Sequence, residues 1–87
     1  MYLHIGNKKN VRRKEVIGIF DIDSSTTTET GKRFLSGMER MGMTEYDDYD
    51  LPRSFVLCEE KNATRVRLSR LSSNLLAERF NDKNDIV

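Results

Sequence analysis

The stretch that decides the fold covers residues 54–69 and reads SFVLCEEKNATRVRLS. Its first part, residues 54–60, is rich in apolar and β-branched side chains and predicts a strand. Residues 61–64, Lys-Asn-Ala-Thr, predict a four-residue turn, and residues 65–69 alternate polar and apolar side chains as a strand does. The two segments are therefore predicted to pair as an antiparallel hairpin.

The alternation also predicts which hairpin side chains are buried. Val66 and Leu68 are expected to face the core, whereas Arg65 and Arg67 are expected to face outward. Cys58 is the single cysteine, so it has no internal disulfide partner. Its apolar surroundings favour a buried thiol over a reactive one.

Two further strands are predicted on the N-terminal side of the hairpin. Residues 2–5 predict a short opening strand, which a turn at Gly6 and Asn7 follows. Residues 16–20, VIGIF, are a compact β-branched and aromatic run that predicts a buried strand. Residues 21–25 end it with Asp and Ser side chains, which favour turns and helix caps.

The main helix is predicted from about residue 27 to residue 43. Its apolar side chains fall along one helical stripe, at Phe34, Leu35, Met38 and Met41. Thr26 or Thr27 is expected to cap its start, and Gly42 suits a left-handed stop at its end. Gly31 and Gly37 each cost about 1 kcal/mol relative to Ala inside a helix, so they indicate a weak first half or a close backbone approach.

The remaining segments complete the prediction of an α+β fold. Residues 45–50 form an acidic linker that has room for a short edge strand, and Ser72 or Ser73 is expected to cap a short C-terminal helix. We expect a small single domain over residues 1–80, built of antiparallel strands with one main helix and the short C-terminal helix. Residues 81–87 are expected to be a polar tail.

Composition favours a protein that binds partners and self-assembles. Of the 87 residues, 37% are hydrophobic and 33% are charged, so the core is thin and association between copies would bury more surface. The net charge of +1 conceals a segregated distribution, with +4 over residues 1–20, −6 over residues 21–60 and +3 over residues 61–87. Such segregation suits an anionic partner on one face, or head-to-tail contact between copies.

Several functional classes are not expected. The chain has no run of about 18 apolar residues and no signal-peptide features at its start, so we expect a cytoplasmic protein without membrane contact. It contains no nucleophile elbow, phosphate loop or Cys-x-x-Cys pair. His4 is the single histidine, and the acids of residues 45–50 lack the spacing of a calcium loop. We therefore expect no enzyme, no cofactor, no metal and no small-molecule substrate.

One segment resembles an enzyme motif. Asp21-Ile22-Asp23 follows a predicted strand, as in haloacid dehalogenase-type phosphatases, where one carboxylate attacks phosphorus and the second moves a proton. The glycine and threonine that normally follow the second Asp are lacking, and the chain is too short for that family's parallel sheet. We favour the alternative, in which these residues form a turn and a helix cap.

Basic side chains are the strongest candidates for binding. Five of the seven residues from position 8 to position 14 are cationic, and arginines recur from the hairpin onward; the candidates are Lys8, Lys9, Arg12, Arg13, Lys14, Arg65, Arg67 and Arg70. Nucleic-acid phosphates are their obvious complement. The alternative, equally open from the charges alone, is a solvated face paired with the chain's own acids.

Four segments, taken in order, resemble a known family. They are YLHIG at residues 2–6, KEVIGIF at residues 14–20, LPRSFVL at residues 51–57 and LSSNLLAER at residues 71–79. Together they look like the extracellular matrix regulatory proteins of Gram-positive bacteria, the RemA/RemB family, and more like its RemB branch. The similarity covers residues 2 to about 80.

The resemblance implies a compact α+β fold akin to LytTR-type DNA-binding domains, a ring-like homo-oligomer, and a role in the transcription of biofilm matrix genes. In the RemA branch, two adjacent arginines just before the strand that corresponds to residues 54–60 are tied to DNA binding. Here that place holds Leu51, Pro52 and Arg53, so a proline replaces one cation. The resemblance therefore assigns DNA contact to Arg53 alone.

Two hypotheses from different classes follow. The first is an oligomeric regulator whose residues 8–14 and Arg53 contact the phosphates of duplex DNA around a repeated surface. The second is an assembly or adaptor module, in which the basic ends of one copy meet the acidic residues 45–50 of the next and the partner is a protein.

Overall fold

The computed structural model describes residues 2–6, 9–46 and 51–81. The elements in chain order are β1 (Tyr2–Gly6), β2 (Lys9–Arg12), a 3-10 turn (Arg13–Glu15), β3 (Val16–Asp21), α1 (Ile22–Ser25), α2 (Glu29–Arg40), β4 (Thr44–Tyr46), β5 (Ser54–Glu60), β6 (Ala63–Ser69) and α3 (Ser73–Asn81). The predicted α+β class is confirmed. Within these ranges no helix has both the length and the apolar character needed to cross a membrane.

The strands form two sheets. β1 and β2 pair as an antiparallel hairpin, and the larger sheet has the order β3-β5-β6-β4. β5 is antiparallel to both of its neighbours, β3 and β6, but β4 runs parallel to β6. β4 overlaps the acidic segment that was predicted to have room for a short edge strand, and it runs parallel to β6 because α2 returns the chain to the end of the sheet at which β6 also starts.

The β5–β6 hairpin is confirmed as the central pair of the sheet, but its turn is shorter than predicted. Only Lys61 and Asn62 form the turn, with φ angles of 51° and 67°. Two residues with positive φ give the tight turn whose twist matches that of the flanking strands. Ala63 and Thr64 therefore belong to β6 rather than to the turn.

The larger sheet is covered on both faces. The β1–β2 hairpin and α3 pack on one face, where the core residues are Leu3, Ile5, Val11, Val56, Cys58 and Leu76. Helix α2 packs on the other face, where the core residues are Met38, Phe55, Val66 and Leu68. Because side chains alternate along a strand, neighbouring residues of β5 and β6 point into different cores.

β3 is an edge strand and not the buried strand that its composition predicts. It pairs with β5 on one side, and no other described strand pairs with its second side. Ile17 is 57% exposed and Phe20 is 41% exposed. An apolar run is typical of a central strand, and here it leaves exposed apolar side chains along an edge that pairs with no further strand among the described residues.

Helix α2 begins and ends close to the predicted positions. Its cap is Thr28, just after the predicted threonines, and the Thr28 hydroxyl accepts a hydrogen bond from the Gly31 N–H at 3.0 Å. A Cβ on Gly31 would collide with the carbonyl oxygen of Ser25, which confirms a close backbone approach there, whereas a Cβ on Gly37 would meet no atom within 4 Å, so a close approach at Gly37 is wrong. Gly42 has a φ of 70° and supplies the predicted left-handed stop.

The other two helices are capped by side chains. The Asp21 carboxylate accepts a hydrogen bond from the Ser24 N–H at 2.9 Å and caps α1, as predicted. The Ser72 hydroxyl accepts one from the Leu75 N–H at 3.1 Å at the start of α3. Helix α3 ends at Asn81, and the rest of the predicted polar tail lies outside the described residues.

Candidate nucleic-acid interface

Arg67, the second arginine of β6, forms ion pairs with two carboxylates of the same protein. Arg67 Nε lies 3.0 Å from Glu45 Oε2, and Arg67 Nη1 lies 3.5 Å from Glu60 Oε2. The Arg67 side chain is only 9% exposed. The prediction that Arg67 faces outward, where nucleic-acid phosphates could reach it, is therefore wrong.

Arg67 is buried because both faces of the sheet are covered. It pairs with the core residue Val56, so its side chain lies on the face beneath the β1–β2 hairpin and α3. Glu45 on β4 is the register partner of Arg67, and Glu60 is the last residue of β5. A buried guanidinium needs such partners, since an uncompensated charge in the interior is costly.

Arg65 lies on the same face as Arg67, nearer the turn. Its Nε is 3.8 Å from Glu60 Oε1, and its side chain is 35% exposed. Glu60 therefore compensates both β6 arginines. Arg65 is only partly available to an external phosphate, so the prediction that it faces outward holds in part.

Three other predicted cations come together where the β1–β2 hairpin meets β3. Arg12, Arg13 and Lys14 line a concave pocket of about 600 Å³ together with Tyr2, which lies opposite Arg12 in the strand register. Arg12 and Lys14 are exposed, and neither forms an ion pair with a residue in the described ranges. We call these four residues the basic pocket.

Arg13 forms a fixed wall of the basic pocket. Its guanidinium carbon lies 5.1 Å from the centre of the Phe80 ring, and its Nη1 donates to the Arg79 carbonyl at 3.5 Å. Arg79 Nη1 in turn donates to the His4 carbonyl at 3.2 Å. These contacts tie α3 to the hairpin, whereas Arg12 and Lys14 are exposed and have no comparable side-chain contact within the described residues.

The hairpin that carries the basic pocket is firmly attached to the sheet. Leu3, Ile5 and Val11 are buried against it, and each such side chain contributes about 1.5–3 kcal/mol. The buried Ser69 hydroxyl donates to the Ile5 carbonyl and accepts from the Leu71 N–H at 3.0 Å. The pocket therefore sits on a rigid support, which reduces the entropy lost when it binds a ligand.

The remaining predicted cations lie away from the basic pocket. Lys9 is exposed at the far end of the β1–β2 ladder, and Arg70 is exposed directly after β6. Arg53 is exposed just before β5, at the opposite end of β3 from Lys14. β3 lies between the two cations, and its six residues extend over about 17 Å from the first Cα to the last. Lys8 lies outside the described residues.

Tyr2 is the pocket residue that the sequence analysis missed. It was expected only as part of the opening strand, yet its half-exposed ring lies directly across from Arg12. The sequence contains a signal that places Tyr2 beside these cations. A hairpin with its turn near Gly6 and Asn7 pairs the second residue with one of the basic residues near position 12.

Asp21, the first acid of the phosphatase-like segment, and Cys58 both have defined surroundings in the structure. Asp21 is engaged in capping α1. Among the described residues, no three His, Cys, Asp or Glu side chains lie close enough together to hold a metal ion. Cys58 is a buried thiol, as predicted; burial first, and then the Glu60 carboxylate, raise its pKa from 9.0 to about 11.

An apolar groove lies on the other side of the sheet, between β3 and α2. It encloses about 350 Å³, and its apolar lining residues are Phe20, Phe34, Phe55 and Leu57. The Phe20 and Phe55 rings stack with their centres 5.1 Å apart. Phe20 and Phe34 remain well exposed, and exposed apolar clusters of this kind mark interaction surfaces.

No family model matches the chain, and no curated protein matches it.

Proposed function

We propose that this chain is a cytoplasmic, oligomeric regulator of extracellular matrix gene expression, related to the RemA/RemB family, that binds DNA phosphates through the basic pocket. The observation that carries the proposal is that the Arg12 and Lys14 side chains are available to an external anion. Both are exposed beside the fixed Arg13, and neither has an acidic partner in the described part of the chain. Lys9 and Arg53 are further phosphate contacts on the same chain.

Oligomer formation belongs to this proposal for an energetic reason. One pocket offers three cations, and a contact of that size with a phosphate backbone is weak at physiological salt. Copies joined in a ring would present the pocket repeatedly, and linked sites bind far more tightly than one alone. The uncovered edge of β3 and the apolar groove give the copies a surface through which to join.

The test is fluorescence anisotropy with a labelled DNA duplex over a series of salt concentrations. The variant Arg12→Glu/Lys14→Glu is expected to weaken binding at least tenfold, because a hydrogen bond to a charged group contributes about 1.5–3 kcal/mol. The matched control is Lys32→Glu/Arg33→Glu on α2, which changes the net charge equally on the opposite side of the sheet.

Two results would contradict DNA binding by the basic pocket. One is the absence of duplex binding by the parent protein at low salt. The other is an equal loss of affinity in the pocket variant and the α2 variant, since that would trace binding to net charge rather than to Arg12 and Lys14.

A second candidate is an assembly or adaptor module with a protein partner, and the apolar groove favours it. The charge-based form of this hypothesis pairs basic ends with the acidic residues 45–50. Of these acids, Glu45 is already paired with Arg67, and Asp47, Asp48 and Asp50 lie outside the described residues. Apolar contact through the groove is therefore the better basis for assembly.

Light scattering at low and high salt separates the two kinds of contact. Assembly through the groove persists at high salt, and Phe34→Ser shifts it toward the monomer. Met41→Ser is the matched control, since Met41 is an exposed apolar residue of the same helical region outside the groove. A monomer under both salt conditions would exclude assembly and weaken the oligomeric part of the first proposal.

A further inference from the structure

We propose that the basic pocket accepts an unpaired nucleotide, with its phosphate between Arg12 and Lys14 and its base stacked on the Tyr2 ring. This inference rests on the proposed phosphate contact and adds a base contact to it. The ligand class is a nucleoside phosphate with an accessible base, supplied either as a free nucleotide or as part of a single strand.

The position of Tyr2 is the first observation behind this inference. Tyr2 is 51% exposed, although its neighbour Leu3 is fully buried. Directly opposed residues on antiparallel strands have Cβ atoms about 5 Å apart, so the Tyr2 ring stands beside the Arg12 side chain. An exposed aromatic ring beside unpaired cations is the combination with which proteins bind single strands.

The shape of the pocket is the second observation. Its volume of about 600 Å³ is within the usual range of small-molecule sites, roughly 300–1,000 Å³. In a duplex the bases are stacked on one another and are not free to stack on a side chain. Tyr2 therefore adds affinity only for a nucleotide whose base is unpaired.

The fixed position of Arg13 is the third observation. Its guanidinium is held by Phe80 and by the Arg79 carbonyl, so that side of the pocket is in place before a ligand arrives. Arg12 and Lys14 have no such restraint in the described part of the chain. Arg13 thus shapes the site, while Arg12 and Lys14 adjust to the phosphate.

The experiment compares three probes on the full chain: a labelled 12-nucleotide oligothymidylate, a duplex of equal length, and AMP as an unlabelled competitor. Tyr2→Leu is expected to weaken oligothymidylate binding by about 5- to 150-fold, the range for losing one stacked base. Tyr2→Phe keeps the ring and is expected to retain affinity within about threefold. Neither change is expected to alter duplex binding.

The outcomes separate this inference from the proposed function. Displacement of the oligonucleotide by AMP identifies a free nucleotide as a sufficient ligand, whereas binding without displacement identifies a single strand; both support the inference. Unchanged oligothymidylate binding in Tyr2→Leu overturns it, and so does equal loss in Tyr2→Leu and Tyr2→Phe. In either of those cases the duplex result still tests phosphate binding by Arg12 and Lys14 independently.

Discussion

The cations of β6 and those of the basic pocket are the same residue types in opposite states. On β6, Arg67 is buried between two carboxylates and Arg65 shares one of them. In the basic pocket, Arg12 and Lys14 are exposed without an acidic partner in the described residues. The first group compensates the protein's own acids, and the second is available to anions from outside.

The difference teaches that covered surface, rather than charge density, decides which cations can bind a ligand. Arg67 belongs to a strand with packed elements on both of its faces, so its guanidinium needs internal partners. Arg12 ends β2 and Lys14 lies in the turn that follows, where both side chains are exposed to solvent. Four substitutions or conditions probe this contrast through the free energy of unfolding.

The largest effect is expected for Arg67→Met. The substitution removes the charge that Glu45 and Glu60 share and leaves both carboxylates without this partner. Breaking a buried pair costs about 3–5 kcal/mol, and because Glu45 is half exposed we expect a loss of about 2–4 kcal/mol. Urea denaturation followed by circular dichroism measures it.

A neutral background provides the control for Arg67→Met. With Glu45→Gln and Glu60→Gln in place, the carboxylates no longer need a cation, so adding Arg67→Met should cost much less than it does alone. An Arg67→Met protein within about 0.5 kcal/mol of the parent would show that Arg67 is effectively a surface residue, and the contrast between the two groups would fail.

The second effect is a loss of stability at alkaline pH from Cys58, which lies across from Arg65 on β5. Below pH 9 the thiol is protonated in both states and stability is unaffected. Between pH 9.0 and about 11 the unfolded thiol loses its proton first, because burial raises the folded pKa. At 1.36 kcal/mol per pKa unit, the free energy of unfolding falls by about 2–3 kcal/mol.

Cys58→Ala isolates the thiol, since Lys and Tyr residues titrate equally in both proteins. The comparison is the fall in the free energy of unfolding between pH 8.5 and pH 11, not its absolute value. The parent should lose more than the variant. Equal falls would mean that the thiol is exposed to solvent and that the β5–β6 interior is less well sealed than the structure indicates.

Local features of this fold could be predicted from the sequence because they depend on neighbouring residues. The caps at Asp21 and Ser72, the stop at Gly42 and the β5 strand all follow from local hydrogen bonding or φ preference. The exposed state of Arg12 and Lys14 could not be predicted in this way. It depends on where the acids of distant strands lie after folding.

The wrong assignment of Arg67 has a specific cause. Strand alternation was interpreted as one face toward the core and one toward water, which holds only when one face is covered. Two apolar surfaces in this chain need a place to pack: the hairpin side chains Leu3, Ile5 and Val11, and the stripe of α2. Combining them predicts a sheet covered on both faces and a buried position for Arg67.

The third effect is small and is expected for Arg65→Met. Arg65 is 35% exposed and lies 3.8 Å from Glu60, a geometry for which ion pairs contribute at most about 1 kcal/mol. The same urea experiment should show a loss of about 0–1 kcal/mol that shrinks in high salt. A loss as large as that of Arg67→Met would place both β6 arginines in the buried class.

The smallest effect on stability is expected for Arg12→Gln and Lys14→Gln. Neither side chain has an internal partner in the described residues, so each variant should unfold within about 0.5 kcal/mol of the parent. The same two changes should lower the slope of log affinity for duplex DNA against log salt by about 0.9 each, because each removes one phosphate contact. Unchanged stability with a reduced slope separates a ligand-binding cation from a structural one. Reduced stability with an unchanged slope would show that Arg12 and Lys14 are structural cations like Arg67. The basic pocket would then have no support as a phosphate-binding site.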